Sequence, residues 1–148
     1  MTRKRLVLSA LSLVVAVTAL TACNKNTVSS NDPGAKAATL QGESEHWKVK
    51  VNYTPQKSKL QEMVTVEYKV EERVAEAAVT VVHADGTSLV NSVVEPSLLA
   101  PSQPITLDKK GEVASWKGTD QVQIEWKVGD QKTKEYITVV NKAATAAP

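Results

Sequence analysis

The chain has 148 residues, with 18 Lys and Arg against 16 Asp and Glu, three Trp, three Tyr, no Phe and a single Cys. One domain is the natural count at this length, and a lone cysteine excludes an intrachain disulfide. A net charge of only +2 argues against nucleic acid as a partner, which calls for a clustered basic face.

Met1 to Arg5 carries Arg3, Lys4 and Arg5 and no acid, and Leu6 to Leu20 is free of charge and dominated by Leu, Val and Ala. That is the layout of a secretory signal peptide. A membrane-spanning anchor needs roughly 20 apolar residues, whereas this run is shorter and is broken by Ser9, Ser12 and Thr18. At its end, Leu20-Thr21-Ala22-Cys23 resembles the lipobox of bacterial lipoproteins, in which an aliphatic residue and two small residues precede a cysteine. The resemblance implies that the Cys23 thiol receives a diacylglyceryl group, that residues 1–22 are cleaved off, and that Cys23 becomes the lipid-bearing N-terminus. The residue type suits the chemistry, because a thiolate is easily alkylated. Two acyl chains anchor a protein stably where one holds it marginally, at about 0.8 kcal/mol per buried methylene. The expected location is therefore the extracytoplasmic face of the cell membrane.

Cleavage after Ala22 removes 22 of the 148 residues and leaves 126; three of the 18 basic residues go and all 16 acids stay, so the net charge becomes −1. The basic character belongs to the leader. From Asn24 to Gly42 the residues are mainly Asn, Ser, Thr, Lys, Ala and Gly, with Pro33 and no hydrophobic period. With Cys23, this stretch (23–42) reads as a lipidated N-terminus and disordered tether, spanning roughly 25 Å as a flexible coil. Residues 142–148 read as a disordered tail, which leaves 43–141 as the folded domain.

Within it, Trp47, Val49, Val51 and Tyr53 alternate with Lys48, Lys50 and Asn52, and Val64, Val66, Tyr68 and Val70 alternate with Thr65, Glu67 and Lys69. A period of two marks strands with one wet face. Between Lys57 and Ala78 a helical spacing competes, and we read two strands joined near Glu71 to Arg73 because β-branched residues fill Val64 to Val70. Ala78 to Val82 and Leu89 to Val94 form a hairpin over Ala84-Asp85-Gly86-Thr87. Pro96, Pro101 and Pro104 exclude a central strand across Glu95 to Pro104. Ile105 to Leu107 and Val113 to Trp116 read as a short pair. Val122, Ile124, Trp126 and Val128 then alternate with Gln121, Gln123, Glu125 and Lys127, and Gly129-Asp130 turns the chain back through Ile137 and Val139 by a two- or four-residue loop.

About seven short strands at this spacing predict an all-β fold, an antiparallel two-sheet sandwich of the immunoglobulin-like kind, with a small β-barrel as the alternative. The expected core is Trp47, Val49, Val51, Val64, Val66, Val79, Val81, Leu107, Val122, Ile124, Trp126, Ile137 and Val139. The run Gly42-Glu43-Ser44-Glu45-His46-Trp47-Lys48-Val49 is similar to the start of small uncharacterised lipoproteins from Gram-positive bacteria, a resemblance that implies a fold and a compartment only.

Signals for chemistry are sparse. His46 and His83 are the two histidines, on different strands, and no metal or cofactor is expected; His83 reads as a solvated turn residue within reach of Asp85. No G-x-S-x-G occurs, and Ser44, Ser88, Ser92 and Ser115 lie at no motif spacing from a histidine. Glu71, Glu72 and Glu76 read as a charged turn rather than a carboxylate pair for glycoside hydrolysis. Trp47 and Trp126 fall on apolar faces, and Trp116 is the one read as either core or surface. Cys23, as lipid attachment site, is thus the one residue with an assigned role. The expected function is a non-enzymatic interaction or accessory module at the cell envelope, with the membrane and an envelope protein as partners. The alternative is a small-ligand or metal-binding lipoprotein serving a transporter.

Overall fold

Two long antiparallel pairs carry the architecture. The computed structural model describes residues 33–93 and 100–142, the backbone alone at 33 and at 90–93. Cys23, the leader, most of the tether, part of the proline-rich connection and residues 143–148 lie outside the described residues.

The larger sheet is built on β2 (Trp47–Gln56) and β3 (Lys59–Tyr68), joined by a two-residue turn at Lys57-Ser58. β1 (Ala38–Glu43) pairs with β2 on one side. On the other side of β3 lie β6 (Pro104–Thr106) and β7 (Gly111–Val113). The smaller sheet runs β5 (Ser88–Val93), β4 (Val74–His83), β8 (Thr119–Val128) and β9 (Gln131–Thr138), and β10 (Val140–Asn141) crosses back to pair with β1. The sheets pack face to face and neither closes into a barrel. β3 crosses to β4, the chain returns to the free edge of β3 at β6, and β8 then enters beside β4. That connectivity is the immunoglobulin-like one: β2, β3 and β6–β7 correspond to strands A, B and E, while β5, β4, β8 and β9 correspond to C′, C, F and G.

All thirteen expected core residues are buried, joined by Leu40, Tyr53, Leu60, Tyr68, Val74, Ala77 and Leu89. Trp47 is fully enclosed, with its ring 4.7 Å from Tyr68 and 5.7 Å from Trp126, so aromatic packing supplies the bulk that phenylalanine would otherwise provide.

Two expectations are corrected. The tether does not extend to Gly42: residues 38–43 are a strand, and Leu40 is buried opposite Val51. With one buried apolar side chain, β1 shows too little alternation to stand out from the polar stretch before it. Nor do β6 and β7 pair with each other as a hairpin. Both continue along β3, with Thr106 opposite Thr65 and Gly111 opposite Glu62. They are one strand position interrupted by a bulge over 107–110, and there Leu107 N–H still reaches the Val64 carbonyl.

The remaining turns follow their residues. Gly86 and Gly129 hold positive φ of 79° and 57°, the conformation that glycine tolerates best. The Asp85 carboxylate accepts from both the N–H and the hydroxyl of Thr87. The β8–β9 loop is the two-residue form, and Ile137 faces Val122.

Candidate functional site

Glu62 occupies a core-facing position of β3, between Leu60 and Val64, and is 0 % exposed. Tyr53 lies directly across from it on β2. In the other sheet, His83 closes β4 and pairs with Thr119, the first residue of β8. A register shift between Val82 and His83 leaves Asp120 outside the pairing. Thr119 therefore points inward, and Asp120, which simple alternation from Val122 would bury, stays exposed.

The two cross-strand pairs meet between the sheets in a closed ring. Tyr53 Oη donates to Glu62 Oε2 at 2.7 Å and lies 2.7 Å from Thr119 Oγ1. His83 Nδ1 is 2.9 Å from Thr119 Oγ1, and its Nε2 is 3.2 Å from Glu62 Oε2. Glu62 Oε1 has no hydrogen-bond partner among the described residues and faces Gly111, where a Cβ would stand 3.1 Å away. His83 is thus a buried residue, 7 % exposed, and not the solvated turn histidine that its place beside Asp85 suggests.

Its electrostatics follow from the ring. The hydrogen bond to Glu62 raises the His83 pKa above its ordinary value, against the opposing effect of burial. Burial first, and then the Glu62 charge, pushes the Tyr53 phenol far above its usual range. Tyr53 therefore remains a proton donor throughout the accessible pH range.

A second constellation sits at the opposite end. The β1–β2 turn is tied by Ser44 N–H to the Trp47 carbonyl at 2.8 Å and by Lys69 Nζ to the Ser44 carbonyl at 2.7 Å. Ser44 Oγ donates to Glu135 Oε2 at 2.5 Å, and His46 Nδ1 lies 2.6 Å from Glu135 Oε1. The His46 ring rests on Trp126 at 5.3 Å. Burial works to raise the Glu135 pKa, but hydrogen bonds from Ser44 and His46 outweigh it and hold the carboxyl below its ordinary value. These are the residue types of a nucleophilic triad in a different order, since the serine bonds the carboxylate and not the imidazole.

Glu45, His46 and Glu135 bring ligand atoms within 4.8 Å of one another, a donor set that zinc accepts. Nδ1 of His46 and both oxygens of Glu135 are already hydrogen-bonded, so a cation would have to displace those bonds. Neither constellation is announced by a short motif. The signal that finds Glu62 and Glu135 is a carboxylate at an inward position of an alternating strand.

The other sequence candidates are dispersed. Glu71 and Glu72 are exposed in the β3–β4 link, and Glu76 pairs with Lys127 at 2.9 Å. Ser115 accepts from Lys117 N–H, Ser88 opens β5, and Ser92 pairs with Ala78. Trp116 is half-buried against the core. The outer face of the larger sheet carries two shallow hollows of about 520 and 630 Å³, sharing Gln41 and Lys142. Among the described residues no helix is long and apolar enough to cross a membrane. Compared with protein-family models, with curated proteins and with solved structures, the chain matches none of them.

Proposed function

We propose that this chain is a lipid-anchored β-sandwich on the extracytoplasmic face of the cell membrane, acting as a non-enzymatic interaction module. The observation that carries the reading is Leu20-Thr21-Ala22-Cys23 lying only ten residues before Pro33, where the described domain begins. Ten residues reach at most about 36 Å when fully extended, so a lipid on Cys23 would keep the domain at the membrane surface.

The attachment point also gives the domain a polarity. The 3-10 turn Pro33–Ala35 packs against a second one, Trp116–Gly118. A Cβ on Gly34 would collide with Ser115 Oγ, so this contact is close. It lies at the end of the sandwich that holds Tyr53, Glu62, His83 and Thr119. The far end, with Ser44 to His46, Lys69 to Arg73 and Gly129-Asp130, is then the one that faces away from the lipid and toward an envelope partner.

Cys23→Ala tests the anchor. The variant is expected to leave the lipid-bearing membrane fraction and to run as an unprocessed, larger species; normal size and unchanged membrane association would sink the reading. Crosslinking on intact cells, with residues of the far end carrying the probe, tests the partner.

One observation favours a second reading, a small-ligand lipoprotein serving a transporter. The hollows on the larger sheet fall in the range of ligand sites by volume. A ligand that binds only the folded state must raise its melting temperature. A screen of sugars, metals and peptidoglycan fragments that never moves it would remove this alternative.

A further inference from the structure

Four contacts close the ring of Tyr53, Glu62, His83 and Thr119: three hydrogen bonds and the 3.2 Å approach of His83 Nε2 to Glu62 Oε2. That approach is attractive only with a hydrogen between the two atoms, so each of the four needs one. Tyr53 and Thr119 supply one apiece. A neutral imidazole supplies a third and an ionised carboxylate none, so that combination is one proton short. The missing proton completes the ring either on His83, making an imidazolium beside a carboxylate, or on Glu62, making a neutral pair. Without it, one contact of the ring sets two lone pairs against each other, at Nε2 and Oε2 or at Tyr53 Oη and Thr119 Oγ1 according to the imidazole tautomer, in a buried site where unpaired polar groups are costly.

We infer that this ring is a proton-dependent clamp between the two sheets, closed by one proton shared between Glu62 and His83 and loosened when that proton leaves. Tyr53 and Glu62 belong to the larger sheet, His83 and Thr119 to the smaller. The ring is therefore the polar bridge across the sandwich at this end. Both sheets are irregular beside it. β8 shifts register between the partners of Val82 and His83, and the bulge between β6 and β7 lies next to Gly111, opposite Glu62. Such irregularities re-aim side chains and weaken the local ladder, so this end of the sandwich can loosen without the rest.

The surroundings leave the proton to these residues. β2 contributes Tyr53, β3 Glu62, β8 Thr119, and β4 His83 with Asp85 beyond it, whose charge also favours a protonated His83. β7 and β5 contribute Gly111 and Leu89, which do not titrate.

Because His83 is held above its ordinary pKa in the folded chain, the clamp is complete below about pH 6.5. It is lost as pH rises through the folded value. Within that window the unfolding constant should rise about tenfold per pH unit, one proton's worth, and then level off. Glu62→Gln places a permanent donor in the ring and should abolish the rise. The experiment is chemical denaturation of the full-length chain in detergent across pH 6 to 10, for the native sequence and Glu62→Gln. Amide exchange at His83 and Thr119 is followed in the native chain. The expected result is a rise in the native sequence alone, with exchange at these two amides accelerating over the same window. An equal rise in both chains would overturn the clamp. Should Glu62→Gln not fold, nitrogen NMR of His83 and carboxyl-carbon NMR of Glu62 in the native chain decide. A neutral imidazole beside an ionised carboxylate at pH 6 refutes the shared proton, and a proton on either partner supports it.

Discussion

Glu62 and His83 belong to different sheets, and their side chains meet 3.2 Å apart in the space between them. Around that contact the protein places a phenol and a hydroxyl and almost no water-exposed surface. Breaking such a pair from one side costs more than removing it whole, because the abandoned charge stays buried.

His83→Leu is accordingly expected to destabilise the domain by about 3–5 kcal/mol, the usual range for an orphaned buried partner. The double variant Glu62→Leu/His83→Leu should be more stable than His83→Leu alone. Urea denaturation of the four chains of this cycle measures the coupling; additive effects would mean that the two groups do not interact energetically.

Tyr53→Phe keeps the ring's shape and removes one hydrogen. It leaves Glu62 and Thr119 each short of a partner, at an expected cost of about 1–3 kcal/mol. Thermal melting at pH 6 reads the loss directly, and an unchanged melting temperature would show that the phenol is not a structural donor.

At the far end the pH dependence has the opposite sign. Glu135 is held below its ordinary pKa by Ser44 and His46 despite burial. Its contribution is present above the unfolded carboxylate value, about 4.3, and is lost as pH falls through the folded one. Ser44→Ala should lower stability by a constant amount above the unfolded carboxylate value and make the acid-side loss smaller, leaving the slope above pH 6.5 unchanged. An identical acid profile in Ser44→Ala would argue that the hydroxyl has no hold on the carboxylate.

Gly42 and Gly118 separate close packing from open space. A Cβ at Gly42 would overlap the Thr138 backbone carbonyl, whereas at Gly118 the nearest atom is 3.7 Å away. Gly42→Ala is expected to cost about 1–3 kcal/mol, as overpacking does, and Gly118→Ala to stay within about 0.5 kcal/mol of the native chain. Equal melting temperatures for the two variants would mean that β1 shifts freely against β9.

Much of the sandwich is legible in the sequence because its strands alternate over eight to ten residues, and Trp47, Val49, Val51, Val122, Ile124 and Trp126 lie where alternation puts them. The ring is harder to see for two separate reasons. Glu62 is an acid continuing the apolar phase of Val64 and Val66, so hydropathy ends β3 too early, and following the phase back to Leu60 would have exposed it. Thr119 is invisible to period-two reasoning, since the register shift in β8 reverses the phase and substitutes it for Asp120. β1 carries no such signal because it is held by pairing to β2 and β10 and by the fit of Gly42 on β9, none of which leaves a pattern along its own residues.

The broken edge formed by β6 and β7 bears on how neighbouring molecules behave. A chain gathered on a membrane, as proposed, meets its own copies at high density in two dimensions, where any long straight edge strand invites sheet-to-sheet fusion. Here that edge of the larger sheet is cut into two pieces of three residues, opened by Pro104 and split by the bulge over 107–110. On the smaller sheet, β9 turns the Glu135 carboxylate inward. Both devices withhold a template from the next copy, so crowding at the surface should leave these domains as separate, individually available units.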